Sequence, residues 1–295
     1  MRWDQMRGSD NYEVRDGSSG GGMMRGGGMK IGLGTIVIAL IGSVILGVNP
    51  LTLLSGLMTG QAVIEGVSPQ QAPQPQATPG AKPPLRQEQE MVRHVLGDTE
   101  DVWTALFKAM NAPPYKPPRI VFFNGRVQSA CGLASAAVGP FYCPGDQQVY
   151  LDTAFFNELT NRFRAPGDFA QAYVVAHEIG HHVQNLLGTM QQVDRAGVRG
   201  DPRAKNAMSV RLELQADCYA GVWGYFAAKR NLLDPGDLEE GLRAASAVGD
   251  DAIQKMSQGY VVPDAFTHGS SEQRMKWFRR GLETGDPRKC DTFAG

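Results

Sequence analysis

This sequence has no excess of positive or negative charge. Its 29 Lys and Arg residues and 30 Asp and Glu residues give a net charge of −1, so the basic surface that nucleic acid requires is not expected. No phosphate-binding pattern, either G-x-G-x-x-G or a P-loop, stands between a strand and a helix, and nothing therefore indicates a nucleotide cofactor. The four cysteines include no C-x-x-C pair, which disfavours a zinc site built from thiolates.

Histidine is also scarce. The chain has five histidines, yet three of them fall between His177 and His182. The run from His177 to His181 reads H-E-I-G-H. Residues four apart in a helix lie nearly one above the other, so His177 and His181 can direct two imidazole nitrogens at one ion. Glu178 is turned away by about 100° and can face a metal-bound water instead. The pattern predicts a catalytic zinc site with an open ligand position.

The residues around this motif predict a buried helix. Asp168 is a candidate N-cap after Pro166-Gly167, and Gly188 is a stop signal. Apolar side chains cover most of the helix in between, which is typical of a central helix. Buried histidines and a glutamate need partners, because unpaired buried polar groups are costly, and zinc would supply one. The alternative is a helix whose core histidines are satisfied without a metal.

A second helical segment, residues 210–220, supplies the remaining ligand. Glu213 and Asp217 are four residues apart and share one helix face. Glu213 is expected to ligate zinc, and Asp217 to accept the spare N–H of a ligating histidine, which fixes the tautomer of that histidine. The alternatives are a solvent-exposed helix charge for Glu213, and an ordinary surface acid or ion-pair partner for Asp217.

The composition predicts four successive regions. Residues 1–30 are rich in Gly, Ser, Met and Arg and are expected to form a disordered cytoplasmic tail. Residues 31–58 contain a long uncharged apolar run and are expected to form a transmembrane anchor. Residues 59–84 are rich in Pro, Gln and Ala, which indicates an extended linker. Residues 85–295 are expected to form the folded domain.

The predicted anchor also implies an orientation. Arg25 and Lys30 precede it, whereas no basic residue follows it until Lys82. The positive-inside rule then places the N-terminus in the cytoplasm and the domain on the extracytoplasmic side of a single-pass inner-membrane protein. A cleaved signal peptide and a buried soluble helix are the alternatives.

Within the domain, the periodicity predicts several helices and two strands. Besides the two helices described above, helices are expected at residues 87–110, 153–163, 237–256 and 271–282, and strands at residues 119–124 and 147–152. A small sheet followed by a mainly helical part is the α+β pattern. The even number of cysteines favours disulfides in an extracytoplasmic domain, and Cys131–Cys143 with Cys218–Cys290 is the preferred of three pairings.

Several longer runs of the sequence go well beyond the five-residue motif. They are Gly139–Pro144, Val149–Asp152, Gly167–Ala170, Ala172–Gln184, Glu213–Gly221, Gly249–Asp251 and Phe266–Arg274. Together these runs resemble the bacterial family of neutral zinc metallopeptidases over nearly the whole chain, with no departure at the metal residues. The resemblance implies a membrane-anchored zinc peptidase of the gluzincin kind. It also implies a mainly helical, zincin-like domain with a small sheet and Zn²⁺ as cofactor.

The chemistry that this reading predicts is hydrolysis of a peptide bond by a zinc-activated water. Two histidines and Glu213 are expected to hold the ion. Glu178 is expected to take the proton of the water and pass it to the leaving amine. The resemblance implies that Asp217 orients His177.

An oxyanion donor besides zinc is also expected. His268, in a loop just before a helix, is the first candidate, and Arg274 is the second. A structural role for His268 is an equally open alternative. His182 is one step away from the ligand face, so a packing or surface role is expected for it.

The expected partner is a peptide or protein substrate. A peptide added to the sheet edge beside Val149–Asp152 would be bound through main-chain hydrogen bonds. Two other functions stay open, a zinc amidase that acts on cell-wall peptides and a non-catalytic, zinc-stabilised scaffold. A structural zinc site has no need of Glu178, which argues against the scaffold. The sequence does not indicate an oligomeric state.

Overall fold

The computed structural model describes residues 1–15, 84–196 and 201–294, leaving aside the side chains of residues 195 and 196. These residues form small sheets and a larger helical part, so the predicted α+β class is confirmed. The zincin-like topology stays a prediction.

Four strands form the main sheet. They are β1 (Tyr12–Arg15), β2 (Arg119–Phe123), β5 (Phe141–Cys143) and β6 (Gln148–Leu151), in the order β1-β2-β6-β5. Strands β1, β2 and β6 run parallel to one another, and β5 is antiparallel to β6. Branched and aromatic residues fill β2, and its last four residues are all buried, as expected for a strand covered on both faces. A separate hairpin pairs β3 (Arg126–Ser129) with β4 (Gly132–Ser135).

Helices account for most of the remaining described residues. They are α1 (Gln87–Ala109), α2 (Ala154–Asn161), α3 (Asp168–Leu187), α4 (Thr189–Ala196), α5 (Pro202–Lys229), α6 (Asp237–Ala247), α7 (Asp250–Gln258) and α8 (Ser271–Thr284). The main apolar core lies between these helices and the sheet, with Trp103, Trp223 and Phe278 fully buried. A smaller apolar core joins the other face of the sheet to the β3–β4 hairpin.

The helix predicted at residues 237–256 is wrong in one respect. The chain forms two helices there, α6 and α7, with Val248-Gly249 between them. The break places Asp250 in the first turn of α7, where its carboxylate accepts the backbone N–H groups of residues 267–269. The new helix start therefore holds the loop that carries His268.

The first fifteen residues are folded, so the predicted disorder of residues 1–30 is wrong for this part. Residues Tyr12–Arg15 pair with β2, Trp3–Gln5 form a short 3-10 helix, and Met6 is buried in the main core. Composition did not predict this folded segment, because the N-terminal stretch as a whole has few apolar residues. Those few are buried only through tertiary contacts with the domain.

Residues 16–83 lie outside the described residues, and with them the predicted anchor at residues 31–58 and nearly all of the predicted linker. Among the residues that the structure does describe, no helix is both long and apolar enough to cross a membrane.

Both predicted disulfides are confirmed. Cys131 is bonded to Cys143 across a short loop, and Cys218 to Cys290. The second bond ties the C-terminal segment to α5, the helix that carries Glu213.

Candidate metal centre

The H-E-I-G-H motif lies in the middle of α3, as predicted. This helix begins at Asp168, which is its first helical residue and not the N-cap expected from the sequence, since Gly167 precedes it in a non-helical conformation. The helix ends before Gly188, which takes the left-handed conformation typical of a helix stop. Most of the side chains of α3 are buried, so its polar residues depend on partners within the protein.

The three predicted metal ligands come together on α3 and α5. Glu213 Oε2 lies 3.1 Å from His177 Nε2, and Glu213 Oε1 lies 3.5 Å from His181 Nε2. One ligand atom from each residue lies within 4.8 Å of the other two. Zinc bound tetrahedrally at about 2.0–2.1 Å requires donor atoms roughly 3.3 Å apart. Two imidazoles and one carboxylate at these separations therefore fit a zinc ion and leave a fourth ligand position open.

A glycine within the motif permits this approach of the two helices. A Cβ atom at Gly180 would lie 2.9 Å from the carbonyl oxygen of Ala216 and 3.0 Å from its Cα. A side chain at this position would force the backbone of α5 to shift. Glycine therefore lets α5 pack closely enough for Glu213 to reach the histidines.

Asp217 orients His177 and is itself held by two further donors. His177 Nδ1 lies 2.9 Å from Asp217 Oδ1, and the Tyr173 hydroxyl donates to the same oxygen at 2.5 Å. Burial would raise the pKa of Asp217, but the charge of Arg274, together with His177, lowers it below its ordinary value. Asp217 is therefore an ionised acceptor, so Nδ1 of His177 carries the proton and Nε2 is left free for a metal.

Arg274 occupies a position different from the one expected for an oxyanion donor. Its Nε donates to Asp217 Oδ2 at 2.8 Å, one NH₂ group donates to Asp217 Oδ1 at 2.9 Å, and the other donates to the carbonyl oxygen of Val248. The side chain is 5% exposed and Asp217 is fully buried. With a further bond to the Tyr173 hydroxyl, the guanidinium is directed at Asp217 on the Nδ1 side of His177, and these contacts give no support to an oxyanion role for Arg274.

A partner of His181 was missed in the sequence. Gln184 accepts a hydrogen bond from His181 Nδ1 through its Oε1 at 2.9 Å. Its amide donates to the carbonyl oxygen of Leu212 and to Gln215 Oε1. This bond orients the ring of His181 as Asp217 orients that of His177. The i, i+3 spacing on a helix was the available signal.

Glu178 is buried beside the ligands but is not one of them. It is 8% exposed. Burial raises its pKa above the ordinary value, against the lowering effect of His181, His177 and a hydrogen bond from the backbone N–H of Tyr142. A buried carboxylate with a raised pKa, next to a metal position, is suited to act as a general base.

His182 has the packing role that was expected of it. Its Nε2 donates to the carbonyl oxygen of Lys116 at 2.6 Å, and its Nδ1 accepts from the Tyr142 hydroxyl at 3.1 Å. Burial lowers the pKa of His182 to about 4, so it is neutral at physiological pH. It holds Tyr142, whose backbone contacts Glu178.

His268 forms a pair with Asp250 and keeps one nitrogen without a partner. Its Nδ1 lies 3.0 Å from Asp250 Oδ1. Its Nε2 is buried and makes no hydrogen bond among the described residues. Burial lowers the pKa of His268, but Asp250 and, more weakly, Glu213 raise it above the ordinary value overall. The structure thus brings His268 near the charge of Glu213 and leaves its Nε2 without a partner among the described residues.

The sheet edge predicted for substrate binding is wrong. Strand β6, which contains most of Val149–Asp152, is hydrogen-bonded to β2 on one side and to β5 on the other. The edge strand on the side of the metal centre is β5, because Tyr142 in this strand contacts Glu178. A strand of three residues, such as β5, is too short to show a periodicity from which it could be predicted.

Comparisons with known proteins agree with this site. The model of a family described as "Putative neutral zinc metallopeptidase" matches residues 1–293. An uncharacterized protein of Escherichia coli K12, YpfJ, is 44% identical over 298 residues, which cover 99% of both chains. An uncharacterized protein of Mycobacterium tuberculosis H37Rv, Rv2575, is 47% identical over 204 residues, 65% of this chain and 66% of the relative. No solved structure matches the chain.

Proposed function

This chain belongs to the neutral zinc metallopeptidase family, and we propose that it hydrolyses peptide bonds at the centre formed by α3 and α5. The cofactor of the family is zinc. The observation that carries the proposal is the convergence of His177, His181 and Glu213 within 4.8 Å of one another, beside a buried carboxylate that is not a ligand. A purely structural site does not require that carboxylate.

In the proposal, the two histidines and Glu213 hold the zinc ion. A zinc ion held there would supply Lewis-acid chemistry, activating a water for attack near neutral pH and polarising the carbonyl group of the substrate. Asp217 keeps the proton of His177 on Nδ1, and Gln184 does the same for His181. Both rings therefore present Nε2 in a fixed orientation, which raises the affinity for metal.

Glu178 is the general base of the proposal. Its carboxylate accepts the proton of the attacking water and then donates it to the departing amine. Two features support this role, the raised pKa of Glu178 that follows from its burial and the backbone N–H of Tyr142 that holds the carboxylate. General acid–base catalysis of this kind contributes about 10²–10⁴-fold to the rate.

His268 is proposed to donate a hydrogen bond to the oxyanion that forms during hydrolysis. Asp250 lies within hydrogen-bond distance of Nδ1 and raises the pKa of the ring, which favours the protonated form in which Nε2–H is a free donor. Removal of one such donor typically lowers kcat by about 10²–10³-fold. A His268→Gln variant that binds zinc normally and retains full kcat would show a structural role instead.

The substrate is proposed to bind as an extended peptide along β5. Among the described residues this strand is paired with β6 alone in its sheet, so its other edge offers main-chain groups to a peptide. The contact between Tyr142 and Glu178 joins this edge to the catalytic carboxylate. Main-chain recognition would give low sequence preference.

The domain is proposed to act outside the cytoplasm. Two disulfides with no free cysteine among the described residues support an oxidising compartment. Attachment to the membrane through residues 31–58 stays a prediction.

Hydrolysis of casein and digestion of purified cell-wall material by the full chain, each with and without a chelator, test the proposal. We expect chelator-sensitive cleavage of casein. Release of peptides from cell-wall material alone would instead indicate an amidase. Loss of fold on chelation without hydrolysis of either substrate would indicate a zinc-stabilised scaffold.

A further inference from the structure

The N-terminal segment, residues 1–15, is built into the domain that carries the metal centre. We infer that this segment and the metal centre occupy the same compartment of the cell, and that no single membrane crossing separates them. This differs from the orientation that the charges around residues 31–58 predict, and it does not depend on peptidase activity.

The first observation is the pairing of β1 with β2. Four consecutive residues of β1 are in parallel register with β2, from Tyr12 opposite Ile120 to Arg15 opposite Phe123. Ile120 is fully buried, so β1 extends the sheet at a strand that belongs to the core. Such a ladder consists of hydrogen bonds of about 3 Å and cannot form between groups on opposite faces of a membrane.

The second observation is a buried carboxylate whose partners all come from the N-terminal segment. Glu100, in α1, is 5% exposed. It accepts hydrogen bonds from Ser9 Oγ at 2.6 Å, Asn11 Nδ2 at 2.7 Å and an NH₂ group of Arg7 at 2.7 Å. Without residues 1–15, this carboxylate would lose all three of these donors. A glutamate at this helix position is therefore explained by the segment that covers it.

The third observation is a glycine in the interior of α1. A Cβ atom at Gly97 would lie 2.1 Å from the carbonyl oxygen of Arg7, so the N-terminal segment crosses the helix where no side chain fits. Glycine in a helix interior is unfavourable relative to alanine. One turn away, His94 Nδ1 lies 2.6 Å from the carbonyl oxygen of Met6. Gly97 and His94 of α1 therefore both accommodate the N-terminal segment that packs on this helix.

These contacts constrain the topology of the protein. The hydrocarbon part of a membrane is about 30 Å thick, roughly ten times the length of the hydrogen bonds that join residues 1–15 to α1 and β2. One crossing between Arg15 and Pro84 would place the two partners on opposite sides and break every one of these contacts. The disulfides then place the N-terminal segment, like the domain, in an oxidising compartment.

Labelling of two exposed positions in the full chain tests the inference. Gln5→Cys marks the N-terminal segment, and Gln258→Cys, the matched control, marks the domain; both side chains are exposed. Spheroplasts are treated with a membrane-impermeant maleimide before or after lysis. We expect both positions to react before lysis. Reaction of both only after lysis would also place them on one side. Reaction of one before lysis and the other only after lysis would overturn the inference.

Limited trypsin digestion tests the docking itself. Gly97→Leu places a side chain against Arg7, so cleavage after Arg7 or Arg15 is expected to be at least about tenfold faster than in the wild type. Ala105→Leu, at an exposed position of the same helix, is the control and should behave like the wild type. Persistence of the resistant, disulfide-bonded domain shows that Gly97→Leu has not unfolded the whole protein. Unchanged resistance of the N-terminal segment in Gly97→Leu would contradict the docking.

Discussion

Replacement of Arg274 by methionine tests whether the ion pair behind the metal centre carries the stability that its burial implies. The guanidinium makes two hydrogen bonds of 2.8 and 2.9 Å to Asp217, which is fully buried. In Arg274→Met, Asp217 keeps Tyr173 and His177 as donors but loses its positive partner. Removal of one member of a buried pair costs about 3–5 kcal/mol. For a domain of this size, that lowers the unfolding temperature by roughly 6–20 °C.

Thermal unfolding followed by circular dichroism, with a chelator present so that metal binding does not contribute, measures this loss. Arg288→Met is the matched control, because Arg288 makes an ion pair with Asp286 at the same distance of 2.8 Å but is 80% exposed. We expect no measurable change in the unfolding temperature of the control. If Arg274→Met unfolds within about 2 °C of the wild type, the buried pair does not support Asp217 and the reasoning fails.

Three further predictions concern packing, pH and the disulfides. Gly180→Val should force α3 and α5 apart, lower the free energy of unfolding by about 1–3 kcal/mol and weaken zinc binding, as measured by calorimetry; unchanged zinc affinity would be contrary to this. Burial raises the pKa of Asp250, but His268 lowers it, so that it lies below its ordinary value. The contribution of the Asp250 carboxylate to the stability of the fold is therefore fully present above a pH of about 4 and is lost as the pH falls through the lowered pKa. The difference in unfolding free energy between wild type and Asp250→Asn should therefore shrink as the pH falls below about 4; a constant difference would exclude this linkage. Replacing Cys218 and Cys290 by serine should cost about 4 kcal/mol, because their bond spans 72 residues, and an unchanged denaturant midpoint would be inconsistent with this.

The motif helix and its ligands were predictable because their signals are local. The spacing of His177 and His181 follows from helix geometry, and an apolar helix surface indicates burial. Glu213 was predicted from its spacing to Asp217 on a second helix, whereas its approach to the histidines is a contact between α3 and α5. The acid that orients His177 could be read in the same way, since Asp217 lies one turn beyond Glu213 on the same helix. The bounds of α1, α2, α3 and α8 were close for the same reason. The segment predicted at residues 210–220 is only the middle of the longer α5, and α4 was not predicted. The helix predicted at residues 237–256 is divided at Val248-Gly249, where Asp250 binds the backbone of residues 267–269.

What could not be predicted depends on contacts between distant parts of the chain. Arg274 is 57 residues from Asp217, and no spacing rule joins them. The order of the sheet depends on its two edge strands, β1 with four residues and β5 with three, and neither was predicted from the sequence. The N-terminal segment has the composition of a disordered tail, and it is ordered by α1 and β2, to which no local signal connects it. Gly97 and Glu100 were visible in the sequence, but their meaning required the partner that covers them.

The most direct measurement compares the full-length wild type with Glu178→Gln in zinc content and in casein hydrolysis. Glutamine keeps the shape of the side chain and an oxygen that accepts the N–H of Tyr142, but it takes up no proton from water. We predict about one zinc ion per chain in both proteins and a loss of activity of about 10²–10⁴-fold in the variant. Equal hydrolysis by the two proteins, or a wild type whose hydrolysis survives removal of its zinc, would contradict a peptidase that works through Glu178 at this metal centre.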